Sequence, residues 1–242
     1  MTTLLLTNSV DACDKYKAIF FDLDDTLVDF KRAEHESLHL VYKEFYKEIV
    51  DECSFSSLFH SINKQLWEEF EQGKGQLSCI GQKRFEILSK QISVSVDTIG
   101  VADFYEHNLA QKSTWLPGAE ETIKKLKSDY VISIVTNGFS RVQRNKHRIL
   151  SMEDWCESYI VSEEVGAFKP NKKIFDIALN SVNLSPHQVL MVGDSITSDY
   201  KGALNATIDF CWVNKLDNTV SETLPPPKYI IKSVEELIHL LN

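Results

Sequence analysis

Seven residues whose types could do chemistry on a phosphate fall in four short segments. Asp22-Leu23-Asp24-Asp25-Thr26 sets two carboxylates two positions apart, and Thr136-Asn137-Gly138 offers a hydroxyl and backbone amides. Lys169-Pro170 supplies a cation, and Gly193-Asp194-Ser195 with Asp199 adds two more carboxylates. A phosphate monoester is a dianion that repels an anionic nucleophile, so a carboxylate attacking phosphorus needs compensating positive charge. Asp22 would attack in line and form an aspartyl-phosphate, splitting hydrolysis into two steps. Asp24 would protonate the departing alkoxide and then take a proton from the attacking water. For that it must start protonated, which crowding by Asp22 and a desolvated site favour. Lys169 gives fixed positive charge to nucleophile and phosphoryl oxygens, while Thr136 Oγ and the Asn137 N–H, ahead of an expected helix, bind those oxygens. An all-oxygen donor set of this kind suits Mg²⁺.

A lone D-x-D is common by chance, and acidic residues after strands often cap helices. The elements that carry these segments decide the matter. Short β-branched and aromatic runs recur at Lys17–Asp22, Tyr130–Val135, Ser158–Val161, Gln188–Gly193, Ile208–Val213 and Lys228–Ile231. Continuous apolar runs of this length suit parallel strands covered on both faces. Helical faces lie between and after them: Ala119, Ile123 and Leu126; Ile174, Ile177, Ala178 and Val182; Val234, Leu237, Ile238 and Leu241. The alternation implies βαβ units, an α/β fold with a doubly wound parallel sheet. It breaks after the first strand, where 30–113 contains helical patterns at 32–50, 55–72, 79–92 and 97–112 and no strand-like run. We expect two units: a core of 1–29 and 113–242, and an all-helical cap of 30–112, with Pro117-Gly118 marking the return. Ligands of open α/β sheets bind beyond the carboxyl ends of strands, which is where all four segments fall.

In that order and at those positions, the four segments resemble the motifs of the haloacid dehalogenase superfamily, specifically its phosphatases. The resemblance covers about residues 15–29 and 113–242, and the helical insert falls where that family places a cap after its first motif. It implies Mg²⁺ held by Asp22, Asp194 and the backbone carbonyl of Asp24, with Asp199 either a neighbouring ligand or an acceptor behind them. Dehalogenases release halide, which needs no protonation, so Asp24 argues for phosphoryl transfer. Phosphonatases use a cap lysine as a Schiff base; Lys31, Lys43, Lys64, Lys74 and Lys83 are available, but a solvated helix face accounts for each. Asp24-Asp25-Thr26-Leu27-Val28-Asp29-Phe30, Arg84-Phe85 and Thr136 through Gln143 resemble the branch containing pyrimidine 5′-nucleotidases. Phe139 would then stack on a base, with Phe30 and Arg84 also on the specificity side. Plain packing of cap on core explains the two phenylalanines equally well. A sugar-phosphate phosphatase and a non-enzymatic phospho-acceptor module are the alternatives, though the latter needs neither a large cap nor Asp24.

Composition removes other classes. Lys and Arg total 26 against 35 Asp and Glu, a net charge of −9, which opposes binding to nucleic acid or an anionic membrane but not to a small phosphorylated metabolite. Cys13, Cys53, Cys79, Cys156 and Cys211 form no C-x-x-C pair, so we expect buried free thiols in a reducing compartment. Met1–Tyr16 lacks a basic n-region and reads as no targeting signal, no apolar run is long enough to span a bilayer, and we expect a soluble cytoplasmic protein, monomer or homodimer. The basic run Arg141–Arg148 reads as a solvated face, Gly73-Lys74-Gly75 as a turn, and Trp67 and Trp155 as packing residues. The seven histidines show no H-x-x-x-H spacing for zinc.

Overall fold

A computed structural model describes residues 15–71, 74, 77–220 and 223–241. Most of the N-terminal stretch considered for targeting, Cys13, and Gly73 and Gly75 of the expected turn lie outside the described residues. Six strands form one sheet: β1 (Ala18–Phe21), β2 (Val131–Thr136), β3 (Ser158–Val161), β4 (Val189–Gly193), β5 (Asp209–Val213) and β6 (Tyr229–Ile231). Each falls on one of the apolar runs. All neighbouring pairs are parallel, in the order β3-β2-β1-β4-β5-β6.

The strands are apolar on both faces because both faces are covered. Ile19, Phe21, Leu190, Val192 and Cys211 pack on one side, and Ala18, Phe20, Val189, Met191, Phe210 and Trp212 on the other. The first face is sealed by α5 (Ala119–Leu126) and the short C-terminal α10 (Leu237–Leu240). The second is sealed by α8 (Lys172–Val182) and α9 (Lys201–Asn205). Two further helices follow β2 and β3, α6 (Ser140–Ile149) and α7 (Ser162–Val165). The chain winds from β1 to β2 on one side and from β4 to β5 on the other, so β1 and β4 flank the switch point at which such sheets open a crevice.

The insert between β1 and α5 carries no strand among its described residues, only helices: α1 (Phe30–Val41), α2 (Glu52–Glu71), α3 (Leu77–Gln91) and α4 (Thr98–Gln111). The helix expected over 32–50 runs from Phe30 through Val41 and continues as one π turn, Tyr42–Tyr46, with the backbone still helical at Lys47. That turn presents Tyr46 to the insert's own core, where its hydroxyl pairs with Ser89 and its ring lies on Phe55. Phe59, Phe85 and Tyr105 fill the centre of this second core. The insert joins the sheet through a narrow two-stranded contact, with Val28 bridged to Trp115 and Asp29 N–H donating to the Thr114 carbonyl. None of the described helices is long and apolar enough to cross a membrane.

At the other ends of the strands, one buttress ties the residues leading into β1 and β6 to the start of β5. Asp209, opening β5, accepts from Lys15, from Tyr16 Oη at 2.6 Å and from Lys228 Nζ at 2.8 Å. Burial would raise its carboxyl, yet the three donors hold it down at about 2. A depressed folded pKa contributes stability above the ordinary carboxylate range that is lost as pH falls through the folded value. We therefore expect Asp209→Asn to flatten the acid decline of the melting temperature between about pH 4 and about pH 2. Parallel profiles for variant and wild type would contradict the buttress.

Candidate active site

β1 hands its carboxyl end to a tight loop. Asp22 N–H still pairs with the Val192 carbonyl of β4, and the chain then turns so that Leu27 and Val28 both donate to the Leu23 carbonyl. Asp25 takes up the turn in the left-handed region, at φ 60°. The loop leaves Asp22 nearly buried at the switch point and keeps Thr26 beneath it, where Thr26 Oγ1 lies 3.2 Å from Asp22 Oδ2 and 3.5 Å from Asp194 Oδ1. The hydroxyl thus spans two of the expected carboxylates, a role the spacing of the motif did not disclose.

Lys169 is buried, and its ammonium lies 2.5 Å from Asp22 Oδ1 and 2.7 Å from Asp199 Oδ1. Burial would lower the Lys169 pKa, but the two carboxylates drive it above the ordinary lysine value. The backbone here is gripped by Asn137, whose Oδ1 accepts from Lys169 N at 2.8 Å and whose Nδ2 donates to Lys169 O at 3.0 Å. Asn137 therefore aligns Lys169 through its side chain, a contact that a backbone N–H role did not anticipate. Asp199 returns to the site on the π turn Ile196–Tyr200 after β4. Its Oδ2 accepts from Ser195 N at 3.0 Å. A side chain at Gly193 would collide with this carboxylate, so the approach needs glycine.

Asp22, Asp194 and Asp199 each offer an oxygen, all within 4.8 Å of one another. One ammonium does not balance them. Burial, helped by Asp199, pushes the Asp194 carboxyl up to about 7, and burial likewise raises that of Asp22. Among the described residues Asp194 has no ion pair; its side chain accepts a hydrogen bond from Thr26 alone. Crowded, under-compensated carboxylate oxygens fit a hard divalent cation such as Mg²⁺. The Asp24 side chain stands outside this cluster.

The Asp24 carboxyl group is surrounded by donors. Lys146 Nζ reaches Oδ1 at 2.6 Å, and Gln143 Nε2 reaches Oδ2 at 2.9 Å. This corrects the reading of Arg141–Arg148 as a solvated face. Residues 139, 142, 143 and 146 recur at the spacing of one helical face; on α6 Val142, Gln143 and Lys146 of that face are buried, with Phe139 just before the helix. Apart from the inward Lys146, Arg141 pairs with Asp103 and Glu106, and Arg144 with Glu164.

A cavity of about 340 Å³ opens over these groups. Asp22, Asp24, Asn137, Lys169 and Asp194 line its floor, whereas Thr136 and Asp199 stand behind the surface. Thr136 Oγ1 accepts from Gln143 Nε2 at 2.9 Å. The insert supplies the roof, including Phe30 and Arg84, with Phe139 at the seam. The Arg84 guanidinium is 4.5 Å from the Tyr105 ring and donates to Asn63 Oδ1 at 3.3 Å. Trp67, expected only to pack, packs on Phe70 and Phe139 and also forms cavity wall.

Residues 19–213 match the model of the haloacid dehalogenase-like hydrolases. The chain belongs to that family. It is 31% identical to the HAD-hydrolase YfnB of Bacillus subtilis, over 94% of this chain and 96% of that one. It is 32% identical to the pyrimidine 5′-nucleotidase YjjG of Escherichia coli, over 94% and 98% of the two chains. The pyrimidine 5′-nucleotidase PynA of Streptococcus pneumoniae is 29% identical over 94% and 95%. The crystal structure of YfnB bound to magnesium superposes with a TM-score of 0.84, covering 94% of this chain and 99% of that one. Taking the Lys169 ammonium away leaves Asp22 and Asp199 buried without a cation. In metal-free buffer, Lys169→Met should lower the urea-derived unfolding free energy by about 3–5 kcal/mol. A loss below about 1 kcal/mol, the scale of an exposed pair, would show that the carboxylates do not depend on it.

Proposed function

We propose that this chain is a Mg²⁺-dependent phosphatase of small phosphate monoesters, with residues 1–29 and 113–242 as catalytic core and 30–112 as cap. The observation that carries this is the buried Asp22 carboxylate 2.5 Å from the Lys169 ammonium, with Asp24 two residues on. Asp22 attacks phosphorus in line; the bond to the leaving oxygen breaks as the aspartyl-phosphate forms, and Asp24 supplies that oxygen's proton. Water then attacks the phosphorus with Asp24 as base, returning Asp22 as carboxylate. Lys169 neutralises nucleophile and phosphoryl oxygens throughout, and Thr136 and Asn137 hold the phosphate-binding turn. Asp22, Asp194 and the Asp24 carbonyl are the residues to hold Mg²⁺, with Asp199 orienting Lys169 behind them. When bound, the ion would screen the phosphate dianion from the carboxylates.

The substrates we propose are pyrimidine nucleoside 5′-monophosphates. Two relatives carry that activity in their names. The cavity adds support, with charge at its floor and Phe30, Phe139 and Trp67 in its walls, a surface on which a base can stack. Arg84 and Asn63 lie at that end with polar groups to read a base edge.

Phosphate release from p-nitrophenyl phosphate should require Mg²⁺ and fall by about a thousandfold or more in Asp22→Asn; retained activity in that variant would refute the nucleophile. In a screen of monophosphates, dUMP and UMP should show higher kcat/KM than sugar phosphates. Arg84→Met should cut the dUMP value by about tenfold, the scale of a lost hydrogen bond to a charged group, and spare p-nitrophenyl phosphate. Preference for sugar phosphates would remove the nucleotidase assignment and leave the phosphatase one.

A further inference from the structure

Lys146 and Gln143 are among the most enclosed polar side chains in the molecule, at 1% and 2% exposure, and none of the roles above uses them. Lys146 sends its ammonium to Asp24 Oδ1 at 2.6 Å and passes 5.1 Å from the ring of Phe30, the first residue of α1. Gln143 turns its amide so that Nε2 faces Asp24 Oδ2, Thr136 Oγ1 and the Asn137 carbonyl. The cost of that orientation is visible. Among the described residues Gln143 Oε1 is buried without a hydrogen bond, a cost offset by the acceptors gathered around its amide nitrogen.

We propose that Lys146 and Gln143 are positioning residues for Asp24, one donor on each carboxyl oxygen, fixing the rotamer from which it exchanges a proton with the leaving group. This rests on the phosphatase assignment and adds to it. Asp24 leaves the sheet on a loop, and its own backbone does not fix the side chain's direction. Two donors from one rigid face of α6 do. The proton they help deliver goes from the Asp24 carboxyl to the leaving oxygen as the P–O bond breaks and the Asp22–phosphorus bond forms. A rotamer error of an ångström then appears wherever the leaving group needs a proton, and nowhere else.

Leaving-group dependence tests this, because kcat/KM reports only events up to the first irreversible step, departure of the leaving group. The esters are dUMP, whose alkoxide needs protonation, and 2,4-dinitrophenyl phosphate, whose phenolate does not. General acid catalysis contributes about 10²–10⁴-fold, so Lys146→Met should lower kcat/KM for dUMP by about 10–100-fold and change the dinitrophenyl value by less than about threefold. Gln143→Ala should show the same pattern more weakly; it leaves the ammonium in place and carries the test if thermal melting shows Lys146→Met unfolded. On an Asp24→Asn background, Lys146→Met should cost less than about twofold more for dUMP, as expected of residues acting through one group. Equal losses on both esters, or full additivity with Asp24→Asn, overturn the positioning role alone. No phosphate release by wild type from either ester overturns the phosphatase assignment as well.

Discussion

The site depends on one ammonium group. Lys169 Nζ lies between Asp22 and Asp199 in a pocket from which water is largely excluded, with Asp194 close by. Three carboxylates converging in such a place repel one another and are costly to desolvate. Lys169 offsets part of that, and it does so only if its backbone is held still, which the paired hydrogen bonds from Asn137 accomplish. Remaining excess negative charge, focused on Asp194, is what makes a divalent cation fit. The net charge of −9 is thus compatible with handling an anionic substrate, since the sign that matters is set locally.

The sheet's topology puts these groups in one place. β1 and β4 are adjacent but wind in opposite senses, so Asp22 and Asp194 emerge side by side at the crevice. β2 contributes Thr136 and Asn137 from the next position. The helical insert then encloses a space whose floor is charged and whose walls are largely aromatic. A ligand with a phosphate at one end and a flat apolar body at the other matches both halves.

Much of this was legible in the chain. All six strands coincide with apolar runs, because strands buried on both faces leave continuous patterns, and strand ends then picked out Asp22, Thr136 and Asp194; Lys169 instead sits in the loop beyond α7, eight residues after β3 ends. Lys146 was misjudged because its neighbours Arg141, Arg144 and Arg148 make the segment look uniformly basic; the 139, 142, 143, 146 spacing carried the missing signal. The surroundings of Asp24 were not legible, since they depend on how a loop meets a helix more than 100 residues later. The π turn at Tyr42–Tyr46, whose Tyr46 is buried in the insert's core, is not encoded in the local pattern.

The central claim is that Asp22 takes the phosphoryl group before water does. The stereochemical course at phosphorus tests it most directly, using a monoester made chiral with oxygen isotopes and a thiophosphoryl group. Two successive in-line displacements, first by Asp22 and then by water, give overall retention. Inversion would mean a single direct attack by water and would contradict the account.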